Sequence, residues 1–194
     1  VRAMMVPDML IEGESFVEGG GCADVFSADL LGFLIPTRLH PLLGSLPRQF
    51  NFHYGVGQHL YVGYALLALA VVGAVAAWRR PAARFWLLSA AIFWLMTLGP
   101  TLRVNGHDTG VPMPFALVAR LPFFKGNRYP SRYSVLLFLS LGILVAYGLQ
   151  ALGRRWPLPR NKGATAGWGL LLVAGLLFGH LSVPLPLSDM RVPE

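Results

Sequence analysis

Residues 128–155 read RYPSRYSVLLFLSLGILVAYGLQALGRR. No charged residue stands between Arg132 and Arg154. An uncharged apolar run of this kind meets the roughly 20 residues that a helix needs to cross the hydrocarbon core of a bilayer. The run predicts a transmembrane helix over about Tyr133–Leu152, with cations at both of its ends.

The rest of the chain repeats the pattern. LYVGYALLALAVVGAVAAW predicts a span over about 60–78, and FWLLSAAIFWLMTLGPTL another over 85–102, where Gly99 and Pro100 would end the helix. AGWGLLLVAGLLFGHL predicts a fourth over 166–181. Hydrophobic residues make up 55% of the 194 and charged residues 13%, against about a quarter charged in soluble domains. Mean hydropathy is +0.55. The expected fold class is all-α: a polytopic helical membrane protein of about four spans with interfacial or re-entrant segments. Residues 1–59 form a first loop region, 60–182 the four-span bundle, and 183–194 the start of a C-terminal segment.

Six of the nine carboxylates fall within the first region: Asp8, Glu12, Glu14, Glu18, Asp24 and Asp29. FSADLLGFLIP is apolar but short and reads as interfacial or re-entrant, while FALVARLPFF further on reads as a helix lying in the interface. The loops RRPAAR and GRRWPLPRNKG are rich in Arg and free of acid, which predicts that they face the cytoplasm. Residues 1–59, 103–132 and 182–194 are then extracytoplasmic.

The net charge of +7 is explained by these loops. The cations sit in short groups between apolar runs, no recognition motif accompanies them, and no nucleic-acid partner is expected. The single cysteine, Cys22, forms no internal disulfide and fits no metal-ligand spacing. His53 and His59 lack a third ligand, and no metal site is expected there. A lone histidine such as His180, near the end of a span, is expected to bond to a neighbouring helix. The opening Val1 and the abrupt end are expected of a piece of a longer protein.

The loop before the long run carries Arg103, Arg120, Lys125, Arg128 and Arg132 against one acid, Asp108. Pro130 suits the first turn of the helix, with Ser131 as a capping side chain. Arg128 and Arg132 then flank a helix N-terminus, which already carries about half a positive charge. An anion among them removes the conflict, since free N–H groups and arginine forks both bind phosphate. Two readings stay open: a dedicated phosphate or pyrophosphate site, or arginines reaching lipid headgroups.

The order of SADLLGFLIPTRLHPLLG, GQHLYVGYALLALAVVG, FWLMTLGPTLRVNG, PMPFALVARLPFFKGNRYPSRYSVLLFLSLGILVAYGL and PLPLSDMRVPE resembles bacterial multi-span membrane proteins of the GT-C glycosyltransferase superfamily, in particular YfhO-like and Chloroflexi-type members. The most specific element is an LP-x-F-x3-R-x-P-x-R pattern at Leu121, Pro122, Phe124, Arg128, Pro130 and Arg132. The resemblance implies a bacterial inner-membrane protein that transfers a sugar from a polyprenyl-phosphate donor at the outer face. Arg128 and Arg132, with Lys125 and Arg120 in support, would hold the carrier's phosphate. The partners implied are the bilayer, the polyprenyl-phosphate lipid and upstream helices of the same protein.

In that superfamily the catalytic base is usually an acid in the first outer loop, which would lie upstream of Val1, so no catalytic residue is carried over. Asp24 and Asp29 are the acids here that could act as general base or bind a divalent cation. Their plain alternatives are a solvated Asp24 and an Asp29 that caps a short helix. The other reading of the whole chain is a non-catalytic membrane protein of cell-envelope polymer assembly, or of lipid-phosphate binding or transport.

Overall fold

The computed structural model describes residues 22–51, 59–121, 129–155 and 162–181. The fold is mostly helical. In chain order the elements are a short α1 (Cys22–Val25), 3-10 turns at Leu31–Phe33 and Leu46–Gln49, α2 (Tyr64–Ala76) and α3 (Pro81–Thr97). A hairpin of β1 (Thr101–Val104) and β2 (His107–Pro112) follows, then α4 (Pro114–Val118), a 3-10 turn at Pro130–Tyr133, α5 (Ser134–Arg155) and α6 (Lys162–Gly179).

The hairpin amends the all-α expectation and shortens the second predicted span, which ran to Leu102. Helix α3 stops at Thr97, and Gly99 turns the chain at φ +81. A Cβ at Gly99 would lie on the Ser27 hydroxyl, so the turn packs against the first segment. The strands are antiparallel, with Arg103 opposite Asp108 and Val104 opposite His107. Asn105 and Gly106 link them at φ 55 and 77. Two consecutive positive φ values are the requirement of a type I′ hairpin turn, and Asn-Gly is the pair that meets it.

Helix α5 is the centre of the bundle. Together with its leading 3-10 turn it runs Pro130–Arg155, the one segment among the described residues long and apolar enough to cross a membrane by length and composition. It packs against both α2 and α3. The α2 contact is a backbone crossing: a Cβ on Gly73 would strike the Leu144 carbonyl, and one on Gly148 would strike that of Leu69. Small residues at the crossing permit this close approach of the two backbones. Around the crossing, Ala70, Ala90, Leu98, Leu137, Leu141 and Leu144 form the buried core with Phe33 and Val62.

The first predicted span is also corrected. Only Tyr64–Ala76 is helical, because Gly63 adopts φ +88 and breaks the helix there. The chain at 60–62 is extended, with the Leu60 and Val62 N–H groups donating to the Gly32 and Phe33 carbonyls at 3.2 and 3.0 Å. At the fourth predicted segment, the helix starts earlier than expected, at Lys162.

The C-terminal end of α6 is fixed by histidines. The buried His40 ring accepts the Leu42 and Leu43 N–H groups at Nδ1, 3.2 and 3.1 Å away. That leaves Nε2 to carry the proton and donate to the Phe178 carbonyl at 3.1 Å. His180 bonds to a carbonyl of its own helix, Leu176, rather than to a neighbouring helix. Its ring rests against Gly63 and faces Tyr61 at 5.6 Å.

These contacts fix the helix directions. The Arg80 end of α2 meets Gln150 near the end of α5, so α2 and α5 run the same way. The Phe93 ring, near the end of α3, meets Tyr133 at the head of α5, and α6 ends beside Gly63, where α2 begins. Helices α3 and α6 therefore run opposite to α2 and α5. One end of the bundle gathers the hairpin and the segments at 22–51 and 129–133. The other carries Arg79, Arg80, Arg84, Arg154 and Arg155.

Candidate functional site

The site is built at the head of α5. Proline suits a first helical turn, and Pro130 occupies that place in a 3-10 turn, fully buried. Ser131 does not cap with its side chain, as the sequence suggested. Its N–H instead donates to the Phe26 carbonyl at 3.2 Å, which ties the turn to the segment following α1. Proline has no N–H, and that of Ser131 is used, so this helix start has fewer free donors for an anion than an ordinary one. Binding of an anion here falls to side chains.

Arg132 is the exposed cation of the turn. Its guanidinium lies 4.4 Å from the centre of the Tyr129 ring, a cation–π distance. The Tyr129 ring in turn lies 4.4 Å from that of Phe26. A column of Arg132, Tyr129 and Phe26 thus holds a cation at the head of the long helix. Below it, Tyr133 stacks on Phe93 at 6.4 Å and meets the buried Phe115 edge-on at 6.2 Å.

Arg120 is exposed just beyond α4. Lys125 and Arg128 lie outside the described residues, as does His53. Asp24 lies on α1, two residues before the Phe26 that touches Tyr129. Among the predicted site residues, the structure therefore brings the Asp24 helix and Arg132 to one place.

Asp29 is completely buried. One carboxylate oxygen accepts the Leu31 N–H at 2.9 Å, and the other accepts the Gly106 N–H of the hairpin turn at 2.7 Å. The backbone on either side is laced in as well: Ala28 N–H to the Thr97 carbonyl at 3.0 Å, Leu30 N–H to that of Arg103 at 2.9 Å. This is the capping role extended across the chain, a carboxylate joining a 3-10 turn to a hairpin. Opposite Asp29 across an isolated bridge, Arg103 Nε is a buried donor without a hydrogen-bond partner among the described residues.

Asp108 is exposed on β2, where it accepts the Gly110 N–H and the Thr101 hydroxyl, both at 2.8 Å. The Gly110 N–H, then the Thr101 hydroxyl, hold its carboxyl below the usual range. Burial holds the His59 imidazole below its ordinary value, against the opposing pull of the Ile35 and Pro36 carbonyls. No group of three or more metal-ligating side chains occurs among the described residues.

Sequence reasoning passed over the hairpin and the aromatic column. The Asn105-Gly106 pair was the available signal for the first. For the second there was only the aromatic residue before Pro130. No protein-family model, curated protein or solved structure matches the chain.

Proposed function

We propose that the chain belongs to a polytopic inner-membrane protein whose outer end binds the phosphate of a polyprenyl-phosphate carrier, in the manner of a GT-C glycosyltransferase. Helices α2, α3, α5 and α6 would cross the bilayer. Their alternating directions support this, as does the gathering of Arg79, Arg80, Arg84, Arg154 and Arg155 at one end. So does the exposure of the apolar surface: only 22% of the most apolar window of Pro130–Arg155 is buried. A soluble core helix of that composition would be mostly covered. Helix α2 has 13 residues and spans about 20 Å at 1.5 Å per residue. The extended 60–63 stretch before it is hydrogen-bonded and packed, the condition under which non-helical backbone is tolerated at membrane depth.

The observation that carries the phosphate reading is Arg132, held exposed on the Tyr129 ring at the head of the membrane-long helix. A cation at a helix N-terminus is unfavourable unless an anion joins it, and the ring fixes the guanidinium for a bidentate grip on phosphate. The resemblance adds Arg128, Lys125 and Arg120 to the residues expected to bind the phosphate. The GT-C resemblance would extend this to sugar transfer.

One observation favours the non-catalytic reading, in which the same cluster binds or moves a lipid phosphate. Both oxygens of Asp29 are occupied by backbone donors, which leaves Asp24 as the acid of the pair for chemistry. The test is Arg132→Gln, alone and with Arg128→Gln, in the full protein in membranes. Binding of polyprenyl phosphate should fall while insertion is unchanged. Binding equal to the parent would overturn the assignment, and sugar transfer by the parent protein decides between the two readings.

A further inference from the structure

The basic end of the bundle contains a cleft between α2 and α5 of about 210 Å³, lined by Arg80, Tyr147, Gln150 and Arg154 over a floor of alanines. At about 30 Å³ per water, the volume accommodates a phosphate group with part of its substituent. Arg80 is oriented in it. One terminal N–H donates to the Gln150 side-chain oxygen at 3.1 Å, and the guanidinium lies 5.6 Å from the centre of the Tyr147 ring. These contacts leave its remaining donors available. Arg154 stands one helical turn beyond Gln150 on α5.

Among the described residues, the charge at this end meets no acid. No acid occurs between Asp29 and Asp108, nor between Asp108 and Asp189. The elements that build the cleft, residues 76–84 and 147–155, therefore supply only cations. The acids of the described residues, Asp24, Asp29 and Asp108, all belong to the opposite end. Two arginines in a shaped cleft without a carboxylate call for an external anion, and planar guanidinium groups favour phosphate.

We propose that this cleft is a second phosphate-binding site, independent of the one at the head of α5, and that Arg80 and Arg154 grip the phosphate while Gln150 and Tyr147 hold Arg80 in place. The chemistry fits the headgroup of an anionic phospholipid, as in other basic pockets between membrane helices, and equally a free phosphate.

Native mass spectrometry of the detergent-purified protein tests this with phosphatidylglycerol as probe and inorganic phosphate as competitor. The parent should retain one tightly held phosphatidylglycerol. The Arg80→Gln/Arg154→Gln double variant should lose at least about tenfold in affinity, since each arginine supplies charge-assisted bonds. Arg79→Gln/Arg84→Gln, outside the cleft, should lose little. Displacement by millimolar phosphate assigns the site to a free phosphate group, and resistance to it assigns the site to the lipid headgroup. Equal binding by the cleft variant and the parent overturns the proposal, and so does an equal loss in both double variants. Both substitutions are at exposed positions, and unchanged gel-filtration behaviour checks that the variants fold. Loss of polyprenyl-phosphate binding at Arg132 leaves this result untouched.

Discussion

The two ends of the bundle treat charge in opposite ways. At the hairpin end, carboxylates are absorbed by the fold: Asp29 joins the 3-10 turn to the hairpin, and Asp108 clamps the hairpin's own strands. At the basic end, Arg79, Arg80, Arg84, Arg154 and Arg155 meet no acid from the elements around them. Internal polar matching holds the carboxylates of the first end, while the arginines of the second meet no acid among the described residues. Stability should therefore depend on the carboxylates of the first end and little on the arginines of the second.

The largest expected effect on stability is at Asp29. Asp29→Ala strands two backbone N–H groups at a fully buried position, at about 1–3 kcal/mol each. A loss of roughly 2–6 kcal/mol should appear as a lower unfolding midpoint in detergent. A loss under about 0.5 kcal/mol, the level of an ordinary surface change, would erase the contrast between the ends.

Gly106→Val comes next. Gly106 sits at φ +77, and its missing Cβ leaves room for the Asn51 carbonyl. Strain at such a position costs about 1–3 kcal/mol, and the same unfolding assay reads it. Gly110, also at positive φ but with open space around it, should lose less on the same substitution.

A third test is pH. The folded His59 titrates below its ordinary 6.5, so the unfolded chain takes up its proton first on acidification. Its contribution is complete above about pH 6.5 and is lost as pH falls through the folded value. The unfolding midpoint should drop between pH 7 and pH 5, and His59→Gln should flatten that drop. A profile unchanged by the substitution would remove His59 from the account.

Smallest of all should be Arg80→Gln. An exposed side chain of this kind changes stability by about ±0.5 kcal/mol, even as phosphate binding falls at the cleft. A large stability loss without added lipid would make Arg80 a structural residue and dissolve the comparison.

The apolar runs made the four long helices legible in the sequence, and the basic loops foretold which helix ends lie together. Their limits were less legible. Gly63 looks like any small residue of an apolar run, and only its φ of +88, beside the His180 ring, shows that the helix begins after it. The hairpin escaped because β2 is exposed throughout, so it lacks the alternation that marks a half-buried strand. Asp29 was read as a possible cap, but its second partner lies 77 residues away, beyond any local pattern. At the candidate site Arg132 was legible as a cation at a helix start. The Tyr129–Phe26 column under it depends on a contact across the fold.

The most direct test of the account is to ask which side of the membrane each end occupies. In a Cys22→Ser background, Val111→Cys on the hairpin and Ala82→Cys at the basic end place one exposed thiol at each. A membrane-impermeant maleimide applied to intact cells opened only at the outer membrane should label position 111 at once, and position 82 only after the inner membrane is permeabilised. Labelling of both positions before permeabilisation would contradict a bundle that spans the membrane with its basic end inside.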